Sequence, residues 1–130
     1  PFSCADALLE KADCPNIIVD FHAEATAEKL ALAHYLDGRV SAVIGTHTHV
    51  QTADEEILPN GTGRITDLGM TGPCRSILGV KPELSIKKLR GDLTGRYEPA
   101  DGPCRLEGCI FTVDDRSGRC VGVERVKEHD

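Results

Sequence analysis

Read for its apolar and polar positions, the chain opens with two short apolar, β-branched runs separated by a helical pattern. Residues 17–21 (Ile17, Ile18, Val19, Asp20, Phe21) predict a strand buried on both faces, with His22 at its C-terminal end. A helix follows: Thr26 suits an N-cap, Glu28 favours the positive end of the helix dipole, Leu30, Ala31 and Tyr35 contribute an apolar stripe, and Gly38 suits a stop. Residues 40–44 predict a second buried strand that delivers Gly45, His47 and His49 at its end. Strand, helix, strand in this order implies parallel strands joined by a right-handed crossover, so the C-terminal ends of both lie on one sheet edge.

The flanking segments are less regular. Ser3 or Asp6 suits the cap of a short amphipathic helix through Leu8, Leu9 and Lys11, closed before Pro15. Residues 57–66 read as a hairpin turning at Asn60-Gly61, with Pro59 favouring an edge position, and the Gly-rich residues 67–73 read as a loop. Pro82 starts a weak helix that reaches Leu89. Residues 105–113 and 120–126 predict a C-terminal hairpin around the turn 114–119, leaving 127–130 as a solvated tail with an exposed His129.

Composition narrows the classes of function. The 130 residues fit a single domain, or part of one. Fifteen Lys and Arg stand against twenty-one Asp and Glu, a formal net charge of −6, which argues against a strong nucleic-acid groove. A phosphate-bearing substrate would therefore need local positive charge, for which a bound metal is the natural source. The sequence has neither an apolar run long enough to span a bilayer nor a basic-then-apolar leader pattern, so a cytoplasmic protein with no membrane partner is expected. Six cysteines without Cys-x-x-Cys spacing are expected to be free thiols. The chain starts at Pro1 without an initiator Met, in keeping with a fragment or processed product.

The chemistry concentrates on histidine. In an extended chain His47 and His49 share a face about 7 Å apart, which suits neighbouring cations, and imidazole is the commonest metal ligand. The crossover brings His22 to the same edge, where ligands of open α/β sheets bind. Asp20 and Glu24 are available to ligate or to orient a ligand histidine, although a polar strand end and a helix-entry acid are the favoured descriptions. His34 lies mid-helix without a partner in the pattern.

Four stretches in order, 18–26 (IVDFHAEAT), 35–39 (YLDGR), 45–54 (GTHTHVQTAD) and 65–73 (ITDLGMTGP), closely resemble the YmdB-like metallophosphoesterase family of bacteria. The resemblance is dense from about residue 17 to 73 and continues as pattern to the end. It implies an α/β fold: the C-terminal half of an α/β/β/α sandwich, with a parallel strand-helix-strand unit followed by β-hairpins. It also implies two divalent or transition metal ions, Fe or Mn foremost with Zn or Mg as alternatives, and hydrolysis of phosphodiesters such as 2′,3′-cyclic nucleotides.

By motif, His22 and His47 resemble ligands of one ion and His49 a ligand of the other. The family's motifs carrying the bridging acid and the acid catalyst are absent, so residues 1–130 resemble the C-terminal portion of one domain, with the catalytic residues expected in a missing N-terminal half. The chain alone is then expected to bind metal weakly and to turn over near background. Cys74 stands where the family tends to have an aromatic. The expected partner is a small phosphodiester or cyclic nucleotide, with homo-oligomerisation left open. Two other classes compete: an amidohydrolase-type hydrolase, which would place further His and Asp ligands on later strands, and a non-catalytic metal-binding module.

Overall fold

The computed structural model describes residues 1–130, arranged as two sheets and three helices of the expected α/β class. The first helix, α1, covers Phe2–Leu9; β1 (Ile18–His22), α2 (Thr26–Tyr35) and β2 (Ala42–Thr46) form the expected crossover unit. β1 and β2 are parallel, with His22 opposite Thr46 at the end of the ladder. β3 (Glu56–Ile57) and β4 (Gly63–Ile65) make the next hairpin, and β4 adds in parallel to β2, giving the order β1-β2-β4-β3. The second sheet is antiparallel, ordered β5 (Gly72–Pro73), β6 (Cys104–Val113), β7 (Cys120–His129), with α3 (Pro82–Leu89) in the connection from β5 to β6.

The core lies under α2. Leu32, Ala33, Leu36, Val40, Val43 and Leu58 are buried together, and Ala5, Leu9, Ile17, Val19 and Phe21 pack against them. The buried face of α2 is Lys29, Leu32 and Ala33, so of the stripe expected at Leu30, Ala31, Tyr35 and the Ala and Leu residues between them, Leu32 and Ala33 are buried while Ala31 and Tyr35 are exposed, because the helix must meet Val40 and Val43. Thr26 begins the helix without capping it; Ala25 holds the cap position and no side chain bonds there. At the other end the stop is as expected, with Gly38 at φ +82. Asp37 closes the next turn, accepting from Asn60 N at 3.1 Å and from Asn60 Nδ2 at 3.1 Å.

Several expectations are corrected. α1 starts at Phe2 rather than at a Ser3 or Asp6 cap, and the Asp6 carboxylate instead accepts from Tyr35 Oη and Arg39, each at 2.6 Å. β1 is not buried on both faces: it is an edge strand, its Ile18 is 60% exposed, and an apolar groove runs between it and α1, lined by Cys4, Leu8, Ile18 and Phe21 among others. Residues 127–130 are no free tail, because β7 pairs with β6 as far as His129 opposite Arg105, and Asp130 N donates to Cys104 O. Backbone pairing continues there even though the side chains are polar on both faces. The loop 67–73 ends in the short strand β5. No helix is long and apolar enough to cross a membrane.

The two sheets are tied together behind the loop that follows β2. Gln51 Nε2 donates to Gly108 O and Val126 O of the second sheet, each at 2.9 Å. The buried Glu107 carboxylate accepts from Met70 N at 3.1 Å and pairs with Lys127 at 3.0 Å. Loops 47–52 and 67–71 are thus fastened to β6 and β7 from below.

Candidate functional site

The C-terminal edge of β1 and β2 gathers two of the three predicted histidines. His22 closes β1, and its Nδ1 lies 3.0 Å from Thr46 Oγ1, its opposite number on β2. With Nδ1 protonated, His22 donates to that hydroxyl and keeps the lone pair of Nε2, which faces His47. His47 Nδ1 lies 3.2 Å from His22 Nε2, and the two rings meet edge to face with centroids 5.1 Å apart. Both residues are exposed.

The backbone carrying the other two histidines differs from the extended geometry expected. β2 ends at Thr46, and the chain turns sharply: His47 has φ +130 and His49 has φ +60, so they are not alternate residues of one strand. Left-handed backbone at a non-glycine residue costs on the order of 1–3 kcal/mol and persists only where its surroundings impose it. His49 is exposed and is not bonded to the other pair. Asp20 and Glu24 are exposed, and neither hydrogen-bonds to a histidine. His34 is exposed on α2, and His129 lies in the other sheet, its Nδ1 3.5 Å from Cys74 Sγ.

Beneath the turn sits a buried ion pair that the sequence reading missed. Lys29 Nζ of α2 lies 3.1 Å from Asp67 Oδ2, with side-chain exposures of 2% and 0%. Lys29 also donates to Thr46 O at 3.2 Å, while Asp67 accepts from Thr48 N at 2.9 Å and from Gly69 N at 3.0 Å. Burial pushes the Asp67 carboxyl up, but the amides of Thr48 and Gly69, with Thr48 and Lys29 side chains, outweigh it and hold it below its ordinary value. Gly45 makes room for this arrangement: a Cβ there would collide with Thr66 O and stand 2.8 Å from Lys29 Cδ. Lys29 was legible in principle, since it shares the i, i+3, i+4, i+7 face of Leu32, Ala33 and Leu36.

Nearby, Asp54 accepts from Arg64 Nη1 at 2.6 Å, from Thr66 N at 3.2 Å and from the Thr66 hydroxyl. Burial raises this carboxyl, and hydrogen bonds from Thr52, Thr66 and Arg64 more than reverse the effect, bringing it down to about 2. The loops around the histidines are therefore knit by ionised aspartates.

Two imidazole nitrogens bound to one ion at about 2.0–2.1 Å would stand about 2.8–3.4 Å apart in octahedral or tetrahedral coordination. The 3.2 Å between His22 Nε2 and His47 Nδ1 fits that requirement. The donor set goes no further: no three His, Cys, Asp or Glu side chains converge to hold an ion.

The family model described as YmdB-like protein matches residues 1–126. The chain is 52% identical over 132 residues to the 2′,3′-cyclic-nucleotide 2′-phosphodiesterase of Bacillus subtilis (strain 168), covering 100% of this chain and 50% of that protein. A crystal structure of a hypothetical protein from Thermus thermophilus superimposes with a TM-score of 0.92 at 42% identity, over 100% of this chain and 51% of that one. A novel phosphatase from Mycoplasma pneumoniae does so with a TM-score of 0.92 at 39% identity, over 99% and 46%. The chain spans about half the length of the curated relatives it matches.

Proposed function

Because the chain belongs to the YmdB-like protein family, we propose that residues 1–130 are the C-terminal portion of a dinuclear metal-dependent phosphodiesterase whose substrates are phosphodiesters of the 2′,3′-cyclic nucleotide type. His22 and His47 hold one ion and His49 the other, Fe or Mn foremost. The observation that carries the reading is the pair of imidazole nitrogens 3.2 Å apart, at the C-terminal edge of two parallel strands, with His47 held at positive φ. The B. subtilis relative's name supplies the substrate class.

Such ions would supply a water acidic enough to attack near neutral pH and positive charge against the phosphate oxygens. The chain's own part is to hold and orient. Thr46 fixes the His22 ring so that Nε2 faces outward to the site, and the positive φ at His47 aims its Nδ1 at the same point. With a net charge of −6, the chain offers little positive charge of its own to a phosphodiester. Two converging nitrogens are too few for a dinuclear centre, so the remaining ligands and the proton donor for the leaving alkoxide come from the half that this chain does not include. The open edge of β1 and its apolar groove offer that half a surface to pack on.

An amidohydrolase barrel draws no support from this fold, whose parallel strands end in an antiparallel β3 instead of closing. The test is turnover of bis-nitrophenyl phosphate and of a 2′,3′-cyclic nucleotide with Mn or Fe, by this chain and by a protein of the relatives' full length containing it. Metal-dependent turnover by the longer protein, lost on His47→Ala, is expected. No turnover by the longer protein would sink the phosphodiesterase reading, and full activity of the 130 residues alone would sink the half-site reading.

A further inference from the structure

We propose that the buried Lys29–Asp67 pair is the positioning device for His47, gripping the peptide groups on both sides of that residue and so keeping its ring against His22. The metal-binding readout of this proposal rests on the functional reading above; the geometry does not.

The carbonyl that precedes His47 belongs to Thr46, and it accepts from Lys29 Nζ at 3.2 Å. The amide that follows His47 belongs to Thr48, and it donates to Asp67 Oδ2 at 2.9 Å. That same Oδ2 lies 3.1 Å from Lys29 Nζ, so one ammonium and one carboxylate oxygen close a ring around the residue whose φ is +130. Asp67 is itself fixed in rotation and position. Its Oδ1 accepts from Gly69 N at 3.0 Å, its amide donates to Thr52 Oγ1 at 2.9 Å, and its carbonyl accepts from Thr52 N at 3.1 Å.

A buried ion pair is a poor way to gain stability, because apolar residues of similar volume often serve as well or better. This pair's remaining hydrogen-bonding capacity goes to the backbone next to the histidine and to the loop that carries the aspartate. Neither side chain reaches the imidazoles, so both act through the backbone.

The test uses the chain labelled at histidine ring nitrogens and titrated with Zn²⁺, followed by NMR, which resolves even weak binding. In the unmodified chain the His22 and His47 ring signals should move along one shared isotherm, with His34, exposed on α2, still. In Lys29→Met, with native amide dispersion retained, the apparent Kd should rise about tenfold or more, as for other groups that orient ligands without touching the metal. An unchanged Kd in the folded variant overturns the proposal, whereas loss of stability alone leaves Kd at low temperature unmoved. A second readout needs no variant: the Thr48 amide should exchange at least about tenfold more slowly than that of His49. Equal exchange overturns the proposal. If Zn²⁺ moves no histidine signal in the unmodified chain, the metal reading fails, and the positioning role is decided by the Thr48 amide.

Discussion

Breaking the Lys29–Asp67 pair from its two ends should have unequal costs, and the inequality follows from the hydrogen bonds each partner keeps. After Lys29→Met, the Asp67 carboxylate still accepts from the Thr48 and Gly69 amides. After Asp67→Asn, the Lys29 ammonium keeps Thr46 O and at best a neutral amide oxygen, and it loses the carboxylate charge that balanced it, in a site with 2% exposure. Removing one partner of a buried pair typically costs about 3–5 kcal/mol, because the other is left uncompensated. Asp67→Asn is expected in that range. Lys29→Met is expected nearer about 2 kcal/mol, since two amide bonds to a charged acceptor remain. The double variant should be no worse than Asp67→Asn, with a coupling of about 1–3 kcal/mol between the two sites. Against a total stability of roughly 5–15 kcal/mol, the aspartate change is a large fraction. Urea unfolding followed by circular dichroism reads this directly: with a slope of about 1–3 kcal/mol per molar, the Asp67→Asn midpoint should fall by about 1 M or more. Equal single costs, or costs that simply add in the double variant, would refute the reasoning.

Gly45→Ala should destabilise by about 1–3 kcal/mol or more, since its Cβ meets the Thr66 carbonyl and Lys29 Cδ; an unchanged melting temperature would contradict the crowding. Asp54, held at about 2, and Asp67, also lowered, contribute stability that is present above the ordinary carboxylate pKa of about 4 and lost as pH falls towards 2. The urea midpoint should therefore drop between pH 5 and pH 2.5, and a flat profile would count against both assignments. All six cysteines are free, so alkylation of the denatured, unreduced chain should add six groups by mass spectrometry; fewer would reveal a bridge.

The crossover unit was legible because its signals are local: two β-branched runs, a helical period between them, and a rule of handedness that brings His22 and His47 to one edge. What the sequence concealed depends on tertiary partners. Runs such as 17–21 reveal apolar character but not whether a neighbour exists to bury it, and here β1 is an edge. The polar end of β7 resembles a tail until β6 supplies a ladder as far as Arg105. A Thr-His-Thr-His sequence reads as extended from its composition, yet Lys29 and Asp67, 18 and 20 residues from His47, bend it through contacts no local pattern announces. Asp67 in particular looks like one more polar residue in a Gly-rich loop, and only its zero exposure identifies it as the anchor of that loop.

The positive φ at His47 and His49 carries a consequence for anyone who would engineer this chain. At both positions glycine would be free of the steric penalty of about 1–2 kcal/mol that an L side chain meets in left-handed backbone, against about 0.5–1 kcal/mol of extra unfolded-state entropy. A library screened for heat resistance alone is thus drawn towards His47→Gly and His49→Gly, and its winners would be sturdier proteins with fewer imidazoles. If His47 and His49 act as proposed, a stabilising glycine and a metal ligand compete for the same two positions, so thermostability and chemistry must be selected together.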